Sequence, residues 1–149
     1  MNTDEKEFEA LRLGNQLCFP LYAAAKEVVR RYKPLLDELD LTYTQYITMM
    51  VLWEKERISV SELGKCLYLD SGTLTPVLKK LEGKGYILRK RSDDDERVLM
   101  VSVTDEGMQL RVRAIKVPGE IAACINLNEE EAVFLYKILY KILDGLNIQ

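Results

Sequence analysis

Apolar residues recur at helical spacing through most of this chain. Between about residues 8 and 32 they stand at Leu17, Leu21, Ala24 and Val28, a stripe that predicts an amphipathic helix. Pro20 is expected to open that helix at its first turn or to kink it, and Pro34 to end it. Thr42-Tyr-Thr-Gln45 reads as a capping box, in which Thr42 and Gln45 each satisfy an orphan backbone N–H. The apolar Ile47, Met50, Val51 and Trp53 that follow extend a second helix to about Glu56. Ser59-Val-Ser-Glu62 repeats the device and opens a short third helix with Leu63, Cys66 and Leu67 on one side, so Cys66 is expected in the core. After the break at Asp70-Ser71-Gly72, a fourth helix at about 72–83 turns Leu74, Val77, Leu78 and Leu81 inward.

The period then changes to two. Residues 86–91 and 97–103 flank the polar turn Ser92-Asp-Asp-Asp-Glu96, a hairpin pattern. Thr104-Asp-Glu-Gly starts a fifth helix that Pro118-Gly119 should bend or interrupt, and Asn128-Glu-Glu-Glu131 caps a sixth. In that last helix Ala132, Leu135, Tyr136, Leu139, Ile142, Leu143 and Leu146 form a stripe wide enough to require a partner. No repeat or linker divides the chain. The expected fold is mainly α with a small β-hairpin: one domain over 1–149, with a winged helix-turn-helix at about 42–103 between N- and C-terminal dimerisation helices at about 6–33 and 105–146.

Composition narrows the function. The 149 residues are 48% hydrophobic and 30% charged, close to an average globular domain. No apolar run approaches the ~18 residues of a membrane span, and the polar start is not a signal peptide, so a cytoplasmic protein with no membrane partner is expected. There is no histidine, which removes the usual general base and the commonest transition-metal ligand. Three widely spaced cysteines without a CxxC pair form neither a secreted disulfide framework nor a zinc site. Neither a cofactor nor a metal is expected, and an enzyme is not. The net charge of −3 counts against nucleic acid, but seven basic against five acidic residues between Lys79 and Arg97 make a local basic patch.

That patch coincides with the helix-turn-helix and hairpin. The outward face of the fourth helix carries Ser71, Thr73, Thr75, Pro76, Lys79 and Lys80, hydroxyls and lysines suited to close approach to base edges and phosphates. The alternative is an ordinary solvated face. In the hairpin, Asp95 stands two residues before Arg97, where the acid can orient the guanidinium for a narrow minor groove, and Arg89 and Arg91 are candidates for phosphate. A salt bridge on an exposed hairpin is the plainer reading.

The cysteines leave two readings open. Cys18, among Leu17, Phe19 and Leu21, is either a buried inert thiol or a redox sensor. Tyr22 is one helical turn away, Tyr32 and Tyr43 can approach from elsewhere in the fold, and hydrogen bonds or a helix end favour the thiolate that attacks peroxides. Apolar surroundings favour organic over hydrogen peroxide. Cys124 is either a packing residue or a resolving thiol.

Asn15-Gln-Leu-Cys-Phe19 with Leu21-Tyr22-Ala23, Leu41-Thr-Tyr-Thr-Gln-Tyr46, Leu69-Asp-Ser-Gly-Thr-Leu-Thr-Pro76 and Asp95-Glu-Arg97 together resemble the MarR family of winged-helix regulators, in particular its organic hydroperoxide-sensing OhrR branch. The resemblance implies a homodimeric repressor that binds a pseudo-palindromic double-stranded DNA operator and leaves it when the N-terminal cysteine is oxidised. It implies Cys18 as the peroxidatic thiol, Tyr32 and Tyr43 as its hydrogen-bonding partners, and Tyr22 as a neighbour. It further implies Cys124, or a low-molecular-weight thiol, as the resolving partner. Two competing functions are a MarR-type regulator controlled by a small aromatic ligand and a thiol peroxidase. The latter lacks the Thr-x-x-Cys arrangement of peroxiredoxins, since Asn15 stands three residues before Cys18.

Overall fold

The computed structural model describes residues 7–146. A short 3-10 turn at Leu13–Asn15 precedes α1 (Cys18–Asp37), α2 (Tyr43–Lys55), β1 (Arg57–Ser59), α3 (Val60–Leu67), α4 (Ser71–Gly83), β2 (Ile87–Arg91), β3 (Leu99–Val103), α5 (Asp105–Ala114), α6 (Val117–Cys124) and α7 (Glu129–Gly145). Residue 6, where the expected N-terminal arm begins, lies outside the described residues.

Capping chemistry sets most helix starts. Thr42 Oγ1 accepts the Gln45 N–H at 3.3 Å while Gln45 Oε1 accepts the Thr42 N–H at 3.0 Å. Ser59 and Glu62 reciprocate in the same way at α3, as do Asn128 and Glu131 at α7. The first helix begins at Cys18, and Pro20 falls in its first turn, one of the two outcomes expected of it, where its missing N–H has no intrahelical role. Its C-terminal end differs from expectation. Pro34 does not end it. The helix continues to Asp37, because Pro34 removes one bond on an exposed face while Leu36 and Leu39 are pulled into the core.

A three-stranded antiparallel sheet in the order β1-β3-β2 replaces the two-stranded hairpin the alternation predicts. β1 pairs Ile58 with Val101, and β2 pairs Ile87 with Val103 and Arg89 with Val101. The break between α5 and α6 falls at Ile115 and Lys116, and Pro118 takes the second position of α6, so the interruption is complete.

The core gathers Leu36, Leu39 and Leu41 with Met49 and Leu52 of α2, Leu63 of α3, Leu74, Leu78 and Leu81 of α4, and Ile87 and Val101 of the sheet. Leu110, Val117 and Ile121 close it from the other side. Cys66 is a correction: it is exposed. Helix α3 buries Leu63 and Gly64 and half-buries Leu67, so its inward direction lies on the opposite shoulder of Leu63 from Cys66. Helix α7 has no buried residue at all, and α1 buries only Leu36. Among the described residues no helix is long and apolar enough to cross a membrane.

Candidate nucleic-acid interface and thiol sites

Helix α4 starts at a carboxylate cap. Asp70 Oδ1 accepts the Thr73 N–H at 2.8 Å and Oδ2 accepts the Thr73 hydroxyl at 3.1 Å, bonds that hold the Asp70 carboxyl below its usual range. The Thr75 hydroxyl donates to the Ser71 carbonyl at 2.6 Å. Both threonine hydroxyls donate their protons within the first turn of α4, Thr73 to the cap carboxylate and Thr75 to a backbone carbonyl, which leaves their oxygen lone pairs as acceptors. Ser71, Pro76, Lys79 and Lys80 are exposed on the same helix. Tyr68, in left-handed conformation at the end of α3, makes the turn between the two helices.

The wing tip presents one arginine. Asp95 Oδ1 accepts Nε of Arg97 at 3.0 Å and Oδ2 accepts Nη2 at 3.1 Å, while the Arg97 side chain remains 90% exposed. The Asp95 carboxyl is held below its usual range by those bonds. A carboxylate thus orients the guanidinium while leaving it projecting, as the spacing predicts. Arg91 donates to the Arg97 carbonyl at 3.2 Å. Arg89 is a correction: its guanidinium is turned inward onto Glu82 of α4, with Nη2 at 2.7 Å and Nε at 3.1 Å, so it ties wing to helix instead of facing phosphate. Glu82 was not among the sequence candidates, and its only signal is an acid on the polar face of α4 seven residues before Arg89.

Cys18 occupies the first residue of α1, exposed, at the positive end of the helix dipole. Tyr22, one turn on, is also exposed, with Lys26 Nζ 5.7 Å from its ring centre. Tyr32 and Tyr43 do meet, ring centres 4.9 Å apart, and Tyr46 lies 5.8 Å from Tyr32. Burial, foremost, raises the phenol pKa of all three, with neighbouring tyrosines adding to the effect at Tyr32 and Tyr46, so they remain protonated donors. The pair is not beside Cys18 of its own chain. Tyr32 lies fourteen residues along the same helix, about 21 Å at 1.5 Å per residue.

Cys124, the last residue of α6, is exposed and lines a cleft of about 190 Å³ with Glu27, Val28, Arg31, Ile121 and Ile125. Glu27 is nine residues past Cys18, roughly 14 Å along α1. Cys124 therefore flanks the middle of α1 while Cys18 sits at its head, well beyond the ~6 Å Cα spacing of a disulfide.

Two short helices joined by a tight turn, the second presenting hydroxyls and lysines and followed by a hairpin with a carboxylate-held arginine, form a winged-helix DNA-binding module. The sequence matches the family Transcriptional regulator SarA/Rot over residues 30–112. It is 46% identical to the organic hydroperoxide resistance transcriptional regulator of Bacillus subtilis over 143 residues, 96% of this chain and 97% of that one. Its fold is similar to reduced AbfR of Staphylococcus epidermidis bound to DNA, at 32% identity and a TM-score of 0.78 over 95% of this chain and 99% of that one. Disulfide-formed AbfR, also 32% identical, aligns over 97% of this chain and 98% of that one with a TM-score of 0.63. The chain belongs to the MarR family of winged-helix transcriptional regulators, in its OhrR-like branch. It is a DNA-binding regulator, and its relatives are regulators rather than enzymes.

Proposed function

We propose that this regulator is a homodimeric repressor that leaves a pseudo-palindromic operator when Cys18 is oxidised by an organic hydroperoxide. The observation that carries the reading is the placement of Cys18: an exposed thiol at a helix head, flanked by exposed Leu17, Phe19 and Leu21. Kinship with an organic hydroperoxide resistance regulator supports it.

Dimerisation follows from what a single chain leaves uncovered. Helix α7 exposes Val133, Phe134, Tyr136 and Tyr140, with Leu146 exposed at its C-cap, and the apolar first half of α1 is equally bare. Exposed apolar faces of that extent mark an interface. A second copy also completes the sensor. Since Tyr32 stands about 21 Å from the Cys18 of its own chain, the phenols that hydrogen-bond the thiol are the partner's Tyr32 and the partner's Tyr43. The same distance argument applies to resolution: a Cys18 sulfenic acid condenses with Cys124 of the partner subunit, or with a small thiol, losing water and forming an S–S bond.

The reading is tested by operator binding of the wild type and Cys18→Ser before and after one equivalent of cumene hydroperoxide, with and without reductant, followed by intact mass. Release by the wild type alone, reversed on reduction, is the expected result, and the mass identifies the cap. Unchanged binding of both proteins after oxidant would sink the oxidant-sensor reading. A Cys18→Ser variant that releases DNA with a small aromatic compound would favour ligand control instead.

A further inference from the structure

We propose that Asn15 and Gln16 are positioning residues for the sensor thiol, folding residues 8–13 into an apolar wall beside Cys18 that selects hydroperoxides by their carbon chain. The inference rests on Cys18 being the oxidised thiol.

Two consecutive carboxamides reach back along the chain. Asn15 Nδ2 donates to the Glu9 carbonyl at 2.8 Å and, at 3.5 Å, to Glu9 Oε1. Gln16 Nε2 donates to the Ala10 carbonyl at 2.6 Å and the Arg12 carbonyl at 3.1 Å. Their backbone N–H groups donate to Arg12 at 3.0 Å and Leu13 at 3.1 Å, and Arg12 Nε pairs with Glu9 at 3.1 Å. The result is a closed knot that ends two residues before Cys18.

The carboxamides of the knot are spent on backbone carbonyls, while its apolar side chains stand exposed around it. Leu11 is 76% and Leu17 80% exposed, with Phe8 and Leu13 also exposed. A cluster of exposed apolar groups beside a reactive thiol is a surface for an apolar substrate.

The reacting step divides the substrates. The Cys18 thiolate attacks the terminal oxygen of R–O–O–H; the S–O bond forms as the O–O bond breaks, and RO⁻ leaves with the bonding pair and takes a proton to become the alcohol. Sulfur is oxidised to the sulfenic acid and the peroxide is reduced. Only the R group touches the wall, so hydrogen peroxide gains nothing from it.

The test uses Asn15→Asp and Gln16→Glu, singly and combined, in the full chain. Each keeps the side-chain shape and removes the donor. Cys18 oxidation rates are measured with cumene hydroperoxide and with hydrogen peroxide by trapping the sulfenic acid, and the ratio of the two is read. Any change in thiol ionisation from the added charge acts on both oxidants and cancels in the ratio. The expected fall in the organic-to-hydrogen-peroxide ratio is about four- to fifteen-fold, the equivalent of one to two methylenes of contact. Leu11→Ser, which leaves the donors in place, lowers the ratio in the same direction. An unchanged ratio in both the double variant and Leu11→Ser overturns the inference while leaving Cys18 as sensor. Loss of the dimer in sedimentation with an unchanged ratio overturns it too and makes the knot a subunit contact. If Cys18 of the wild type resists both oxidants, the parent reading fails and this one with it.

Discussion

Arg89 closes a fork on Glu82, two guanidinium nitrogens against one carboxylate oxygen, while the Arg89 backbone N–H donates to the other oxygen at 3.0 Å. One residue belongs to the wing and the other to α4, so the fork ties the wing to that helix. Glu82→Gln is expected to lower stability by about 1 kcal/mol at neutral pH, as for an ion pair of good geometry. The bonds from Arg89 hold the Glu82 carboxyl below its ordinary 4.5. Its contribution is therefore complete above about pH 4.5 and is lost as the pH falls through the depressed value. Thermal melts of the two proteins should differ at pH 7 and converge in acid.

At the wing tip, Arg97→Ala is expected to weaken operator binding roughly ten- to a hundred-fold and to reduce the slope of log affinity against log salt by about one. Asp95→Asn keeps the shape and one acceptor oxygen, so its loss should be smaller. Titrations at three salt concentrations separate the two effects. Unchanged affinity and slope in Arg97→Ala would place Arg97 outside the interface.

Gly107 shows why the first turn of a helix can hold a residue that disfavours helix. A Cβ there would lie 2.2 Å from the Tyr86 carbonyl oxygen and 2.8 Å from Val103 Cγ2. Its own carbonyl accepts the Trp53 indole N–H at 2.8 Å. Gly107→Ala should cost roughly 1–3 kcal/mol through overpacking at the root of the wing. Because Trp53 is the single tryptophan, its emission should shift in the same variant.

Cys66 should behave as a surface thiol. A maleimide is expected to label it in the folded protein without denaturant, and Cys66→Ser should leave the melting temperature and the oxidation response of DNA binding unchanged. Protection of Cys66 from the reagent until the protein unfolds would restore the core assignment.

What the sequence made legible was local. The boxes Thr42-x-x-Gln45, Ser59-x-x-Glu62 and Asn128-x-x-Glu131 announce helix starts because donor and acceptor are three residues apart, and the Asp95–Arg97 pair is two apart. What stayed hidden depends on distant partners. Strand β1 is three residues long and exists because Ile58 pairs with Val101, more than forty positions on. Cys66 departs from the core by direction. At about 100° per residue, Leu63, Leu67 and Gly64 point to one side and Cys66 falls about 60° to the other side of Leu63. Arg89 looked like a phosphate contact because nothing local reveals that the chain turns back and brings Glu82 beside it.

The distance between Cys18 and Tyr32 along α1 also has a genetic face. If every thiol is served by phenols of the opposite chain, a Cys18→Ser subunit and a subunit carrying Tyr32→Phe and Tyr43→Phe are each defective alone, yet repair one another when paired. Their mixed dimer holds one site with a thiol and both phenols, and one with neither. Co-expressed, the two defective alleles complement, and the response they restore comes from half of the sites.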